Sequence, residues 1–192
     1  MAWVENNSGT NIGTAYTGVM AGYKITPTAG TCTQLRMYLW DEGSHVNCKL
    51  ALYKRTAART YALQGYCNTA TATTSVEGAA MDINLDRDAS GGTVSGITVT
   101  AVEYWVFVKL SGPAKKYQGT AVSDSAYRDE TYADAWPVIR EYMSEDSDEN
   151  IRVGMNVAAS ESSSTPSLKR RLNILLRLCL SSFSTLFGRL LR

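Results

Sequence analysis

Apolar and polar residues alternate strictly along several stretches of this chain. In residues 33–40, Leu35, Met37 and Leu39 alternate with Gln34, Arg36, Tyr38 and Trp40. In residues 46–53, Val46, Cys48, Leu50 and Leu52 alternate with Asn47, Lys49, Ala51 and Tyr53. A period of two sends successive side chains to opposite faces, so each stretch predicts a strand with one buried and one outward face. Residues 102–110 are apolar on both faces, with Tyr104, Val106 and Val108 on one and Trp105 and Phe107 on the other. That pattern predicts a central strand covered on both sides. Residues 150–158 alternate again through Ile151, Val153, Met155 and Val157. Weaker strands are predicted at 17–25, 63–75, 79–85, 93–100 and 117–122.

Turn-forming residues fall between these runs, among them Pro27, Gly30, Gly43, Gly91, Gly92, Gly112 and Pro113. Eight or nine short strands so punctuated predict an all-β fold, an antiparallel β-sandwich or jelly roll, over residues 1–159. The same stretch shows no strand–helix alternation, which argues against a parallel α/β fold.

The pattern changes near residue 160. Residues 160–164 read Ser-Glu-Ser-Ser-Ser, and 160–167 has the composition of a flexible linker. From 168 to 192 the apolar residues Leu168, Leu172, Leu175, Leu176, Cys179, Leu180, Phe183, Leu186, Phe187, Leu190 and Leu191 follow helical spacing. A C-terminal amphipathic helix is predicted there, capped by Thr165 or Ser167, with Pro166 tolerated in its first turn.

Charge sharpens this division. The chain has 192 residues and a formal net charge of +1. Beyond Thr165 there are six basic residues, Lys169, Arg170, Arg171, Arg177, Arg189 and Arg192, and no acids. The rest holds 13 basic against 18 acidic residues, a net of −5, so an acidic body carries a basic tail. The tail's longest uncharged run, 178–188, is 11 residues, whereas a helix needs about 20 apolar residues to span a bilayer. A partner subunit in an assembly, its own domain or a membrane interface would each cover its stripe. Nucleic acid is not an expected partner, because neutralising phosphates requires no apolar stripe.

The strand runs carry a resemblance. They are 23–39, with Tyr23, Ile25, Cys32, Leu35 and Met37; 49–53, with Lys49, Leu50 and Tyr53; and 97–108, with Ile97, Val99, Tyr104 and Val108. Together they resemble the jelly-roll modules of phage fibres, virion surface proteins and secreted carbohydrate-binding proteins. The resemblance covers roughly 18–157. It implies the jelly-roll fold and a protein that binds or assembles rather than catalyses.

Candidate chemistry is sparse. Residues 127–136 are predicted to form a loop, which interleaves Tyr127, Tyr132 and Trp136 with Asp129 and Asp134. Aromatic rings cover the C–H faces of sugars and carboxylates accept their hydroxyl protons, so the segment suits a glycan platform. The favoured reading, however, is that Tyr132 and Trp136 close one end of the sandwich. Asn84, Asp86 and Asp88 alternate like calcium ligands but lack the glycine and distal glutamate of an EF-hand, so a solvated turn is expected. Cys48 and Cys67 share an inward parity; two buried thiols are favoured over a disulfide. There is a single histidine, His45, and no Cys-x-x-Cys, so no metal site is expected. No Gly-x-Ser-x-Gly elbow, phosphate loop or dinucleotide fingerprint occurs, and no cofactor or catalytic residue is assigned.

The expectation is therefore a non-enzymatic virion structural protein: a capsid decoration, fibre or spike component. It would self-associate with further copies and other virion proteins, its C-terminal helix docking into the assembly. The alternatives are a carbohydrate-binding adhesion module and a membrane-surface protein anchored by the tail, with a glycan or a membrane as partner. The opening Met1-Ala2-Trp3-Val4-Glu5 lacks a basic-then-apolar leader, which fits synthesis in a host cytoplasm for a virion. An extracellular or cell-surface setting is the alternative.

Overall fold

Backbone donors and acceptors in short apolar runs must find partners on other strands, and the described strands pair into three sheets. The structure is a computed structural model that describes residues 2–6, 11–15, 17–41, 45–69, 71–118, 125–141, 143–146 and 152–159. The chain divides between Ser160 and Glu161. The predicted linker and the predicted helix over 168–192 lie outside the described residues.

In chain order the strands are β1 (Ala2–Glu5), β2 (Asn11–Ala15), β3 (Val19–Ile25), β4 (Gly30–Met37), β5 (Leu39–Trp40) and β6 (Asn47–Ala57). There follow β7 (Thr60–Tyr66), β8 (Thr71–Ala72), β9 (Met81–Asn84), β10 (Arg87–Asp88), β11 (Ile97–Val99) and β12 (Tyr104–Leu110). The last are β13 (Ala114–Gln118), β14 (Ser125–Asp129), β15 (Ile139–Arg140), β16 (Ser144–Asp146) and β17 (Val153–Ala159). One sheet runs β1-β17-β4-β11, with β9 also on β4. A larger sheet runs β10-β7-β6-β12-β3-β14-β16, with β15 on β7 and β8 on β6. A third, small sheet runs β2-β13-β5. Every pairing between these strands is antiparallel, so the protein is all-β, and no helix occurs among the described residues.

The main core takes its side chains from both large sheets. Leu35, Met37, Ile83, Val153, Met155 and Val157 come from one, and Tyr23, Ile25, Leu50, Leu52, Val106 and Val108 from the other. Among them Leu35, Met37, Leu50, Leu52, Val153, Met155 and Val157 are the inward positions that the alternation predicts. A second cluster covers the other face of the larger sheet, around Met20, Ala51, Tyr53, Tyr61, Trp105 and Phe107. It explains why β12 is buried at all seven positions, as the two-sided apolar run requires.

Three expectations are corrected. Tyr38 and Trp40, predicted outward, are only 8% and 4% exposed. The strand predicted over 33–40 breaks at Tyr38, and β5 leaves to pair with β13, which brings the Tyr117 ring within 6.2 Å of Tyr38 and 5.0 Å of Trp40. Ala51 and Tyr53, also predicted outward, lie buried in the second cluster. Residues 127–136, read as one loop, begin as strand β14.

The cysteines follow the thiol reading. Cys32, Cys48 and Cys67 are buried free thiols. Burial pushes the Cys32 and Cys48 thiols up to about 12, and Cys67 upward as well. None is a nucleophile at neutral pH.

Candidate functional site

The site grows out of two lysines. Trp105, Phe107 and Lys109 share one face of β12 by the period of two, and Lys49 stands directly opposite Lys109 on β6. Like charges directly opposite on one sheet face repel. Lys109 is nonetheless completely buried.

Residues 130–136 resolve this conflict. The β14–β3 pairing, continued by the Glu130 N–H donating to Gly18 O at 2.9 Å, delivers Glu130 over the lysines. Lys109 Nζ donates to Glu130 Oε1, and the other carboxylate oxygen pairs with Arg140 of β15. Lys109 Nζ also donates to the carbonyls of Asp134 and Ala135, each at 3.2 Å, and lies 4.7 Å from the Trp136 ring centre. Lys49 Nζ donates to Tyr132 O at 3.1 Å and lies 4.4 Å from the Tyr132 ring centre. Each ammonium thus sits against carbonyl oxygen and the negative face of a ring. Burial lowers the Lys109 ammonium to about 8; Asp134 opposes the shift, while Arg140 and Lys49 add to it.

A short turn holds the segment. The Thr131 N–H donates to Asp134 Oδ2 at 2.9 Å, and the Asp134 N–H returns to Thr131 O at 3.2 Å. The backbone bond from Thr131 keeps the Asp134 carboxyl below the usual carboxylate range. Trp136 is fixed from below: its ring lies 6.3 Å from that of Tyr53, whose hydroxyl donates to Pro137 O at 2.8 Å.

Beside this segment opens a cleft of about 310 Å³, with Lys49, Tyr66, Asn68, Ser90, Asp134 and Trp136 in its walls. Two aromatic rings and four hydrogen-bonding side chains therefore meet in one concavity. Its far wall is shaped by Asp88, whose Oδ1 accepts from Ser90 N, Ser90 Oγ and Gly92 N at 2.7–2.9 Å. Those bonds, the Ser90 hydroxyl first, lower the Asp88 carboxyl. A second cleft, of about 430 Å³, includes Thr33, Gln34, Asn84, Asp86 and Ser95.

The predicted site residues separate. Asp134 and Trp136 line the first cleft, and Tyr132 backs it by covering Lys49. Tyr127 and Asp129 do not line it. Their neighbour Ala126 lies in the second cluster, so by alternation they face the other side of the sheet, where Tyr127 is 43% exposed. Asn84, Asp86 and Asp88 do not converge: Asn84 accepts from Gln34 at 3.1 Å, Asp86 accepts the Asn68 N–H at 2.8 Å, and Asp88 caps its own turn. Among the described residues no group of three or more histidine, cysteine, aspartate or glutamate side chains is placed to hold a metal.

Sequence reasoning missed Lys49, Glu130, Arg140, Tyr66 and Asn68 as parts of one site. One signal was available, since Lys109 interrupts an apolar run predicted to be covered on both faces, and a cation there requires a carboxylate from elsewhere. Compared with known proteins, the chain matches no family model, and no curated protein matches its sequence.

Proposed function

We propose that the body of this chain is a non-catalytic carbohydrate-recognition module built on a jelly-roll β-sandwich. The arrangement of two antiparallel sheets around one shared core supports the sandwich. The observation that carries the functional reading is the cleft, in which Trp136 stands beside Asp134, Asn68 and Ser90. A ring supplies the plane on which a sugar's C–H face packs, and the side-chain oxygens and amide supply partners for its hydroxyls. Such a site uses few polar groups and a pre-formed wall, and Trp136 is pre-formed by Tyr53 and Lys109.

On a glycan array the protein is expected to retain at least one saccharide class. Trp136→Ala should weaken that binding about tenfold, on the order of 1.4 kcal/mol. Asn68→Ala, which leaves Trp136 in place, should weaken it less. Near-UV circular dichroism of both variants verifies the fold. A blank array for the unsubstituted protein, or full retention by Trp136→Ala, sinks the reading.

A second reading is the self-associating virion structural subunit. It draws on Val138 and Ile139, which are 60% and 59% exposed side by side where β15 flanks β7. Adjacent exposed apolar residues at a sheet margin favour burial by another copy. The full chain is then expected to sediment as an oligomer, and Val138→Lys with Ile139→Lys to shift it toward monomer. The docking role of 168–192 predicts a similar shift for a chain ending at Ser160. A monomeric full chain removes this reading.

A further inference from the structure

We propose that the Trp136 cleft takes an acidic saccharide, a uronic or sialic acid unit whose carboxylate lies toward Lys49 Nζ. The inference rests on the carbohydrate reading and adds the charge of the ligand. It starts from unequal numbers of charges. Lys49, Lys109 and Arg140 gather beneath residues 130–136, and the carboxylate buried among them is Glu130. Glu130 is engaged on both oxygens, one toward Lys109 and one toward Arg140. Asp134, the acid in the cleft lining, turns an oxygen to the Thr131 N–H, and Asp88 behind the far wall accepts from Ser90 and Gly92.

Lys49 is placed differently from Lys109. Both contact a carbonyl and an aromatic face, but Lys109 also has a carboxylate, whereas the contacts of Lys49 are Tyr132 O and the Tyr132 ring. Lys49 is half-buried and forms part of the cleft wall. An ammonium has three donors, and a partly desolvated one gains more from an anion than a hydrated one does. A carboxylate at Lys49 would also offset the repulsion between Lys49 and Lys109 across the β6–β12 pair. Asn68 and Ser90 stand in the same cavity for the hydroxyls of the sugar, and Trp136 offers the plane for its ring. Lys49 is the cation in the cleft lining on a body whose sequence is acidic, so an acidic saccharide is selected by that side chain rather than by net charge.

The test measures binding of glucuronic acid and N-acetylneuraminic acid against glucose, N-acetylglucosamine and the methyl ester of glucuronic acid, by ligand-observed NMR on the full chain. At least one acid should bind about tenfold more tightly than its neutral counterparts, and 0.5 M salt should erode that preference. Lys49→Met should abolish the preference, bringing the acids to the affinity of their neutral counterparts, and Lys49→Arg should retain it. Removing Lys49 also removes a like-charge neighbour of Lys109, so Lys49→Met is expected to stay folded. Equal binding of acids and neutral sugars overturns the acidic specificity and leaves the carbohydrate reading standing. No binding of either kind overturns both. Inorganic phosphate or sulfate competing as tightly as the sugar acids overturns it as well, by showing an anion site without sugar recognition.

Discussion

Replacing Glu130 with glutamine is expected to destabilise the fold by about 3–5 kcal/mol at pH 7. Lys109 is fully buried and Glu130 is 8% exposed, so neither charge can turn to water when its partner is lost. The substitution keeps the shape of the side chain and removes only the charge. It leaves Lys109 facing Arg140 and Lys49 with carbonyl oxygens as its remaining acceptors. The Arg140 limb matters less, because that side chain keeps 20% of its surface exposed, whereas Lys109 keeps none. Chemical denaturation should show a lower midpoint at an unchanged slope. Combining Glu130→Gln with Lys109→Met should recover most of the loss, because a buried pair costs far more to break than to replace with an apolar side chain of similar length. A Glu130→Gln midpoint within about 1 kcal/mol of the unsubstituted protein would show that Lys109 does not depend on Glu130.

Phe107→Ala is expected to cost a similar amount, about 3–5 kcal/mol. Phe107 is completely buried, on the face of β12 away from the main core. Its ring centre lies 5.0 Å from that of Tyr53 and 5.5 Å from that of Tyr61, both edge to face. It also covers Gly22 of β3, where an ideal Cβ would come within 2.3 Å of the ring. Gly22 has no side chain to move into the space, so alanine at 107 leaves a void bounded by the rings of Tyr53, Tyr61 and Trp105 and by bare backbone. Phe107→Leu should lose less, since it keeps most of the apolar contact. A Phe107→Ala loss below about 1.5 kcal/mol would mean that this outer cluster collapses freely, and the rigidity attributed to Trp136 through Tyr53 would go with it.

The antiparallel all-β architecture was legible in the chain. Leu35, Met37, Leu50, Leu52, Val153, Met155 and Val157 point inward as their alternation requires, and the doubly apolar run around Val106 became the strand covered on both faces. Other elements were not legible. β1, β2 and β14 carry little apolar alternation, and they are strands because partners already in a sheet satisfy their backbone groups. The candidate site was half legible. The aromatic and acidic residues of 127–136 were visible as a composition, but the start of the segment in β14 sends Tyr127 and Asp129 to the other side of the sheet from Trp136.

Alternation is a local property of an extended backbone, so it tells which residues of one strand share a face without reference to any other part of the chain. What lies against that face is a non-local matter. Tyr53 and Trp40 are buried because other segments reach them. Lys49 meets Lys109 because the register of β6 against β12 joins residues 60 apart, and a one-residue slip would send one lysine to the opposite face. That register, and the return of Glu130 over it, built the charged cleft.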